Sequence, residues 1–257
     1  PMIDPADYND ESQLPIFYID ENNPSEIESD EDIINPDQIV ILDDGSTDKT
    51  VEICSKYDKV VDIYQQKDLP FDETRDRNLL LEMALKRKPD IILSMDGDEI
   101  LMPFSKEILF EELDILYPGS SVFEFQFLTL WDKPNQVRFD GMYSNNWQKR
   151  LFRVGKTARL LRMNETQYGG NAHCSSVPEN AKGFNNPIRS DVKVFHYGSF
   201  DKNLREGKYN FYRNHDPNNT VTYGYTHMIA AKGPLSGKRG FEFKTIPAYA
   251  FIFLTKI

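Results

Sequence analysis

Residues 89–101 read PDIILSMDGDEIL, a short apolar run that stops at Asp96, Asp98 and Glu99, three acids within four residues. Ile91, Ile92, Leu93 and Met95 follow Pro89 without a polar interruption longer than Ser94. A continuous apolar run of this length predicts a strand buried on both faces, of the kind found in parallel α/β sheets. Ligands of open α/β sheets sit outside the carboxyl ends of the strands, which is where these carboxylates fall. Gly97 leaves the turn between them unobstructed. Two carboxylates at i and i+2 are hard oxygen ligands suited to Mg²⁺ or Mn²⁺, ions that keep waters and take further oxygens from substrate phosphates. An isolated acidic turn is ordinarily just solvated; the apolar strand leading into this one argues for a site.

The same pattern occurs upstream. The run QIVIL at 38–42 ends in Asp43, Asp44, Gly45, Ser46, Thr47 and Asp48. Ser46 or Thr47 can cap a helix over 48–57 that turns Val51, Cys54 and Tyr57 towards the sheet, and Asp48 suits the same capping role. Residues 60–64 read as a third strand, and 73–87 as an amphipathic helix with Leu79, Leu80, Met83 and Ala84 on its apolar side, stopped by Pro89. Strands alternating with helices imply βαβ units and a parallel sheet. The first 37 residues are poor in core material apart from LPIFYI at 14–19, a weak strand candidate, and SEIESDEDIINPD reads as a solvated loop.

Taken in order, IVILDDGSTDKTVEI, RDRNLLLEMA and IILSMDGDEIL resemble family 2 glycosyltransferases, enzymes of the GT-A fold. The resemblance implies a GT-A-like α/β domain with a mostly parallel central sheet flanked by helices and a Rossmann-like nucleotide-binding half. It implies transfer of a sugar from a nucleotide-diphosphate sugar to the hydroxyl of a saccharide or glycan acceptor. By position, Asp43 or Asp44 would recognise the nucleoside, Arg77 would lie near donor phosphates or sugar, and Asp96 and Asp98 would bind metal and ribose. The expected cofactor is Mn²⁺ or Mg²⁺, and a UDP- or dTDP-sugar is the favoured donor. A departing diphosphate carries extra negative charge that a divalent ion and fixed cations stabilise, which is the chemistry these residue types supply. Arg75 offers the same charge as Arg77, but Arg77 is followed by Asn78, as in the family pattern. Where the family has a longer first strand and helix before its Asp-Asp-Gly turn, this chain has LPIFYI and an acidic loop.

Downstream, residues 105–116 read as a helix closed by Tyr117, Pro118 and Gly119. SVFEFQFLTLW at 121–131 alternates as a strand, with Phe123, Phe125 and Phe127 on one core-facing side. Trp131, Tyr143 and Trp147 lie among polar residues and are acceptor-site candidates for sugar stacking, set against plain packing. QKRLFRV at 148–154 reads as another strand. An inverting transfer needs a general base on the acceptor side, and His173 or Glu179, in the Gly-rich segment 168–180, are the nearest candidates by position. Residues 192–195 form a last apolar run with His196 at its end; many GT-A enzymes carry a late His that ligates the metal, and the resemblance assigns that role to His196. A helix over 202–215 follows, and periodicity is lost from 217 onward.

The 257 residues carry a net charge of −11, yet residues 1–48 contain 15 of the 41 acids and no Lys or Arg, leaving 26 acids against 30 Lys and Arg in the rest. A body with that balance argues against nucleic acid as the main partner and is compatible with an anionic small ligand. Two cysteines, Cys54 and Cys174, make neither a disulfide framework nor a metal-ligand spacing, which points to a reducing compartment. Without a leader-like start or a run of some eighteen apolar residues, the expectation is a soluble, cytoplasmic protein with no transmembrane segment. The expected organisation is an acidic N-terminal segment (1–37), a glycosyltransferase-like domain (38–216, donor half 38–101 and acceptor half 102–216) and a C-terminal extension (217–257). Two other functions fit the acids: a non-catalytic nucleotide-sugar or glycan-binding module, and a nucleotidyltransferase, although the Gly-rich basic phosphate loop of the latter is not visible.

Overall fold

The computed structural model describes residues 36–116, 121–154, 174–215, 223–230 and 241–245. The 14–19 strand candidate, His173 and most of the 217–257 segment therefore lie outside the described residues.

Strand β1 (Ile39–Asp43), helix α1 (Thr50–Cys54) and strand β2 (Val60–Gln65) form one βαβ unit, with β1 and β2 parallel. The helix is shorter than the sequence implies, and its approach is set by Asp48 rather than Ser46 or Thr47: the Asp48 carboxylate accepts from the Thr50 backbone N–H at 2.9 Å and from its hydroxyl. Such a side-chain turn satisfies donors that an incipient helix leaves bare. Helix α2 (Glu73–Lys86) starts at Asp72, which accepts from the Arg75 N–H at 2.9 Å, and stops where Lys88 turns to a left-handed φ of 57° before Pro89.

Strands β3 (Ile91–Leu93) and β4 (Glu99–Leu101) flank the Asp96–Asp98 turn. Helix α3 (Ser105–Phe110) runs into a π-helical turn at Glu111–Leu116, then come β5 (Val122–Trp131), β6 (Lys133–Arg138), a 3₁₀ turn at Gly141–Asn145, β7 (Trp147–Arg153), β8 (Ile188–His196) and α4 (Lys202–His215). A 3₁₀ turn at Tyr223–Met228 and strand β9 (Phe243–Thr245) complete the described chain.

The larger sheet runs β3-β7-β5-β6-β9, with β8 joining β5 to β4. Its pairing corrects the expectation of a mostly parallel sheet. Within it β5 and β8 are parallel, whereas β3–β7, β4–β8, β5–β6, β5–β7 and β6–β9 are antiparallel. The reason is connection length. Parallel neighbours need a crossover of roughly a dozen residues or more, but β5 turns into β6 through Asp132 alone, at φ 60°. The strand-helix alternation of 38–101 does not continue beyond it.

Alternation along β5 decides the core. Val122 packs on one side with Phe152, Val154, Val177 and Leu81 of α2, while Phe123, Phe125 and Phe127 face Leu109, Leu113, Val192 and Val194 on the other. The three phenylalanines are core, each contributing about 1.5–3 kcal/mol of burial. On β3, Ile92 joins the first cluster and Ile91 and Leu93 the second, so both faces are covered as expected even though β3 ends the sheet's path. Cys54 and Cys174 are both buried.

Residues beyond 217 are not a mere appendage. Strand β9 pairs with β6, and the Glu242 N–H donates to Asp140. Arg138 and Asp140 form a wholly buried ion pair at 2.8 Å beneath Trp131, Tyr143 and Phe241, and Arg138 also donates to the His227 carbonyl. The His227 ring is itself buried; burial, reinforced by the Arg138 charge, pushes its pKa down from 6.5 to about 4. Neutral imidazole is thus the form the fold accepts. This stabilisation is fully present above 6.5 and is lost as pH falls through that value towards about 4. Between pH about 7 and about 4.5, the parent should lose on the order of 2 kcal/mol more unfolding free energy than a His227→Phe variant. Urea titrations of both proteins at the two pH values test this; equal losses would show that His227 stays neutral without cost.

Candidate active site

Three segments meet at the carboxyl end of β3. The acidic turn is closed on itself: the Glu99 N–H donates to the Asp96 carbonyl, and the Asp96 N–H donates to the Glu99 carboxylate, both at 3.1 Å. Antiparallel pairing of β4 with β8 sets His196 opposite Glu99, and the ladder continues as the Tyr197 N–H donates to the Asp98 carbonyl at 2.8 Å. Helix α2 approaches from one side and α4 from the other.

The two aspartates have different partners. Arg77 of α2, held by Glu73 one turn back at 3.1 Å, donates through one guanidinium nitrogen to both oxygens of Asp96 (2.9 and 3.2 Å). Arg150, from β7, reaches the same carboxylate at 3.3 Å and grips Glu99 with two nitrogens. Burial and the neighbouring Asp98 charge favour the protonated form of Asp96, but Arg77 and Arg150 win and hold its pKa below the usual value. Arg75 stays on its own helix end, bonded to Asp76 and the Pro70 carbonyl.

Asp98 turns the other way. Its Oδ2 accepts from Lys208 Nζ of α4 at 2.7 Å and lies 3.4 Å from His196 Nε2. Burial opposes ionisation here as well, and His196 and Lys208 overcome it, keeping Asp98 far below the ordinary carboxylate range. All three groups converge over Gly198: a β-carbon there would overlap Lys208 Nζ and Asp98 Oδ2 and crowd His196 Nε2 at 2.8 Å. The glycine the site needs is therefore Gly198. Gly97, expected to matter for the turn, would carry a β-carbon with nothing within 4 Å. Gly198→Ala should lower turnover by at least about tenfold by prising the three groups apart, and leave the melting temperature nearly unchanged because the displaced atoms are side-chain tips, while Gly97→Ala should be silent in both. Equal activities of the two alanine variants would remove Gly198 from the site.

Does this arrangement suit a divalent cation? An acid oxygen and an imidazole nitrogen 3.4 Å apart match adjacent ligands of one six-coordinate ion, whose neighbouring donors lie about 3 Å apart. Carboxylate plus imidazole suits Mn²⁺ better than Mg²⁺. Among the described residues no group of three or more His, Cys, Asp or Glu side chains is placed to hold a metal. Asp98 and His196 are the two donors that could meet on one ion, with Lys208 on the same Asp98 oxygen at 2.7 Å. Asp96, expected as a further ligand, accepts from Arg77 and Arg150 as Asp98 does from Lys208.

At the end of β1, Asp43 is buried and accepts from the Ser46 N–H at 3.2 Å, so it shapes the turn, with Gly45 at φ 83° making the reversal. Asp44 is exposed and accepts from the Gln66 side chain. Of the two, Asp44 is the one open to solvent. Glu179 is half-buried and lies close enough to Cys174 to disfavour its thiolate, while the Cys174 N–H donates to Glu73, the residue that holds Arg77. The acceptor-side aromatics part company. Trp131 and Tyr143 are buried around Arg138, so of the two alternatives, sugar stacking and plain packing, they take packing. Trp147 is half-buried, with Arg189 and Lys193 over its ring.

A mixed α/β sheet flanked by helices, with acids at the ends of its strands, is consistent with the GT-A architecture. The family model for glycosyl transferase family 2 matches residues 29–166, more than half the chain, and the protein belongs to that family. The match spans Asp43, Asp44, Arg77, Asp96, Asp98 and Arg150, whereas His196, Gly198 and Lys208 lie beyond it. No curated protein matches the chain. Among the described residues no helix is long and apolar enough to cross a membrane.

Proposed function

We propose that this protein is a metal-dependent glycosyltransferase that moves a sugar from a nucleoside-diphosphate donor to an acceptor hydroxyl with inversion. The observation that carries the proposal is the convergence of Asp98, His196 and Lys208 over Gly198, a few residues from the Arg77–Asp96 pair. Asp98 and His196 would hold Mn²⁺ or Mg²⁺, which when bound supplies charge neutralisation to the departing diphosphate. Lys208, its charged form favoured by Asp98 against burial, adds a positive charge at the same place. Arg77 and Arg150 keep Asp96 ionised and fix the turn, so that the donor meets a site already in its working geometry. The acceptor hydroxyl loses its proton as it attacks, and Glu179 or His173 is the proposed base. The nucleoside would be read at the turn of Asp43 and Asp44, most favourably from a UDP- or dTDP-sugar.

The test is release of free nucleoside diphosphate from a panel of donors in the presence of Mn²⁺. Release from a uridine or thymidine donor, suppressed by a chelator and restored by Mn²⁺, is the expected outcome. Nucleotide binding without release from any donor, across a broad acceptor panel, would make the protein a binding module. Chelator-resistant release would remove the metal from the proposal.

A further inference from the structure

Resting on the reading of the Asp43 and Asp44 turn as the nucleoside subsite, we propose that Gln66 selects uracil or thymine over guanine by occupying one of the two oxygens of Asp44. Gln66 is the first residue after β2 and is only 3% exposed. Its backbone N–H extends the β1–β2 pairing by donating to the Asp43 carbonyl at 3.0 Å, which fixes where its side chain starts. Its side-chain Nε2 donates to Asp44 Oδ1, while its Oε1 is buried without a hydrogen-bond partner among the described residues. Turning the amide over would set that oxygen against a carboxylate, so the bond to Asp44 dictates the orientation and leaves the oxygen stranded. A buried polar atom left unsatisfied is unfavourable, and here it accompanies a contact that holds one exposed acid in place.

Selectivity follows from counting acceptors. Guanine presents N1–H and N2–H side by side, a pair that a carboxylate with both oxygens free receives in parallel. Uracil and thymine present one N3–H between two carbonyl oxygens, so a second free carboxylate oxygen would face a carbonyl and repel it. With the Gln66 amide set against Oδ1, a parallel pair of guanine donors would have to share that oxygen with the amide, whereas Oδ2 stays open for the single N3–H. Cytosine carries no proton on ring N3, and its donor on that edge, the exocyclic N4 amine, lies to one side of the position that N3–H takes.

The experiment is calorimetric titration of the full chain with UDP, dTDP and GDP, on the parent and on Gln66→Met, Gln66→Leu and Asp44→Asn. The parent should bind UDP at least about tenfold more tightly than GDP. Both Gln66 variants fill the buried space with apolar side chains that cannot donate, so Oδ1 is released; the UDP:GDP ratio should fall at least about fivefold, mainly through tighter GDP binding. A ratio unmoved in both Gln66 variants but altered in Asp44→Asn overturns the role of Gln66 and leaves the nucleoside subsite standing. If Asp44→Asn also preserves the parent's ranking, the base is read elsewhere and both proposals fall. A parent that prefers GDP overturns the inference directly.

Discussion

Asp98→Asn should reduce nucleoside-diphosphate release by about 10²–10³-fold, the range seen when a charge-stabilising group is removed from a reacting centre. The neutral amide keeps the shape of the carboxylate but loses the charge that attracts Lys208 at 2.7 Å and that would bind a cation beside His196. Donor affinity and Mn²⁺ affinity should fall together, since one side chain serves both. Folding should barely change. Asp98 and Lys208 are each about a third exposed, so in the variant the freed ammonium can turn to water, and exposed ion pairs contribute about 1 kcal/mol or less. Release within about threefold of the parent, equivalent to under 1 kcal/mol in the barrier, would show that Asp98 is not part of the chemistry.

Arg150→Met should have the largest effect on stability, about 3–5 kcal/mol at neutral pH, because removing one partner of a buried pair leaves the other charge uncompensated. Glu99 is that other charge: its side chain is 2% exposed, and Arg150 grips it while lying over the Phe127 ring at 4.9 Å. Burial, only partly offset by Arg150, raises Glu99 from its ordinary 4.5 to about 6. The protonated acid is therefore favoured in the fold; its stabilising contribution is full below 4.5 and is lost as pH rises through about 6. Without Arg150 that rise should be larger, so the stability gap between variant and parent should be widest near pH 8 and narrow towards pH 5. Adding Glu99→Gln should recover much of the loss, since the orphaned charge goes with it. Denaturant midpoints across pH check all three; a gap that ignores pH, or a double variant no better than the single, would show that Arg150 acts through packing alone.

How much of this could be read from the sequence depends on whether a group's partner is nearby along the chain. The turn at Asp43 and Asp44, the helix from Glu73 and the strand with its acids all declare themselves through periodicity and local capping. The helix from Lys202 to His215 and the alternation of β5 did so equally well. Arg150 did not, because QKRLFRV contains two arginines and a lysine, and only the β7 register turns Arg150 inward to an acid 51 residues away. A cation at an inward position of an apolar strand was the available signal. Lys208 has its acid 110 residues away, and Gly198 looks like an ordinary loop glycine until α4 and β8 close around it. Gln66 lay next to a recognised strand, but nothing local distinguishes a buried amide from a surface one. The parallel-sheet expectation extrapolated βαβ units past residue 101, although the single residue between β5 and β6 left no room for a crossover.

The enclosed Arg138–Asp140 pair bears on how the protein can be made. Its aromatic cover includes Phe241, and the strand that closes beside it begins at Phe243, about a hundred residues after Arg138 leaves the peptidyl-transferase centre. At ordinary synthesis speeds of about 5–20 residues per second, that is an interval of roughly 5–20 s in which a guanidinium and a carboxylate destined for a dry interior stand in water beside half-assembled aromatic walls. Solvated ions resist premature collapse, so the edge of the sheet at β6 stays unsealed until the chain's last described strand arrives. Completion of this part of the fold is thereby timed to the synthesis of residues 241–245 rather than to the emergence of Asp96 and Asp98.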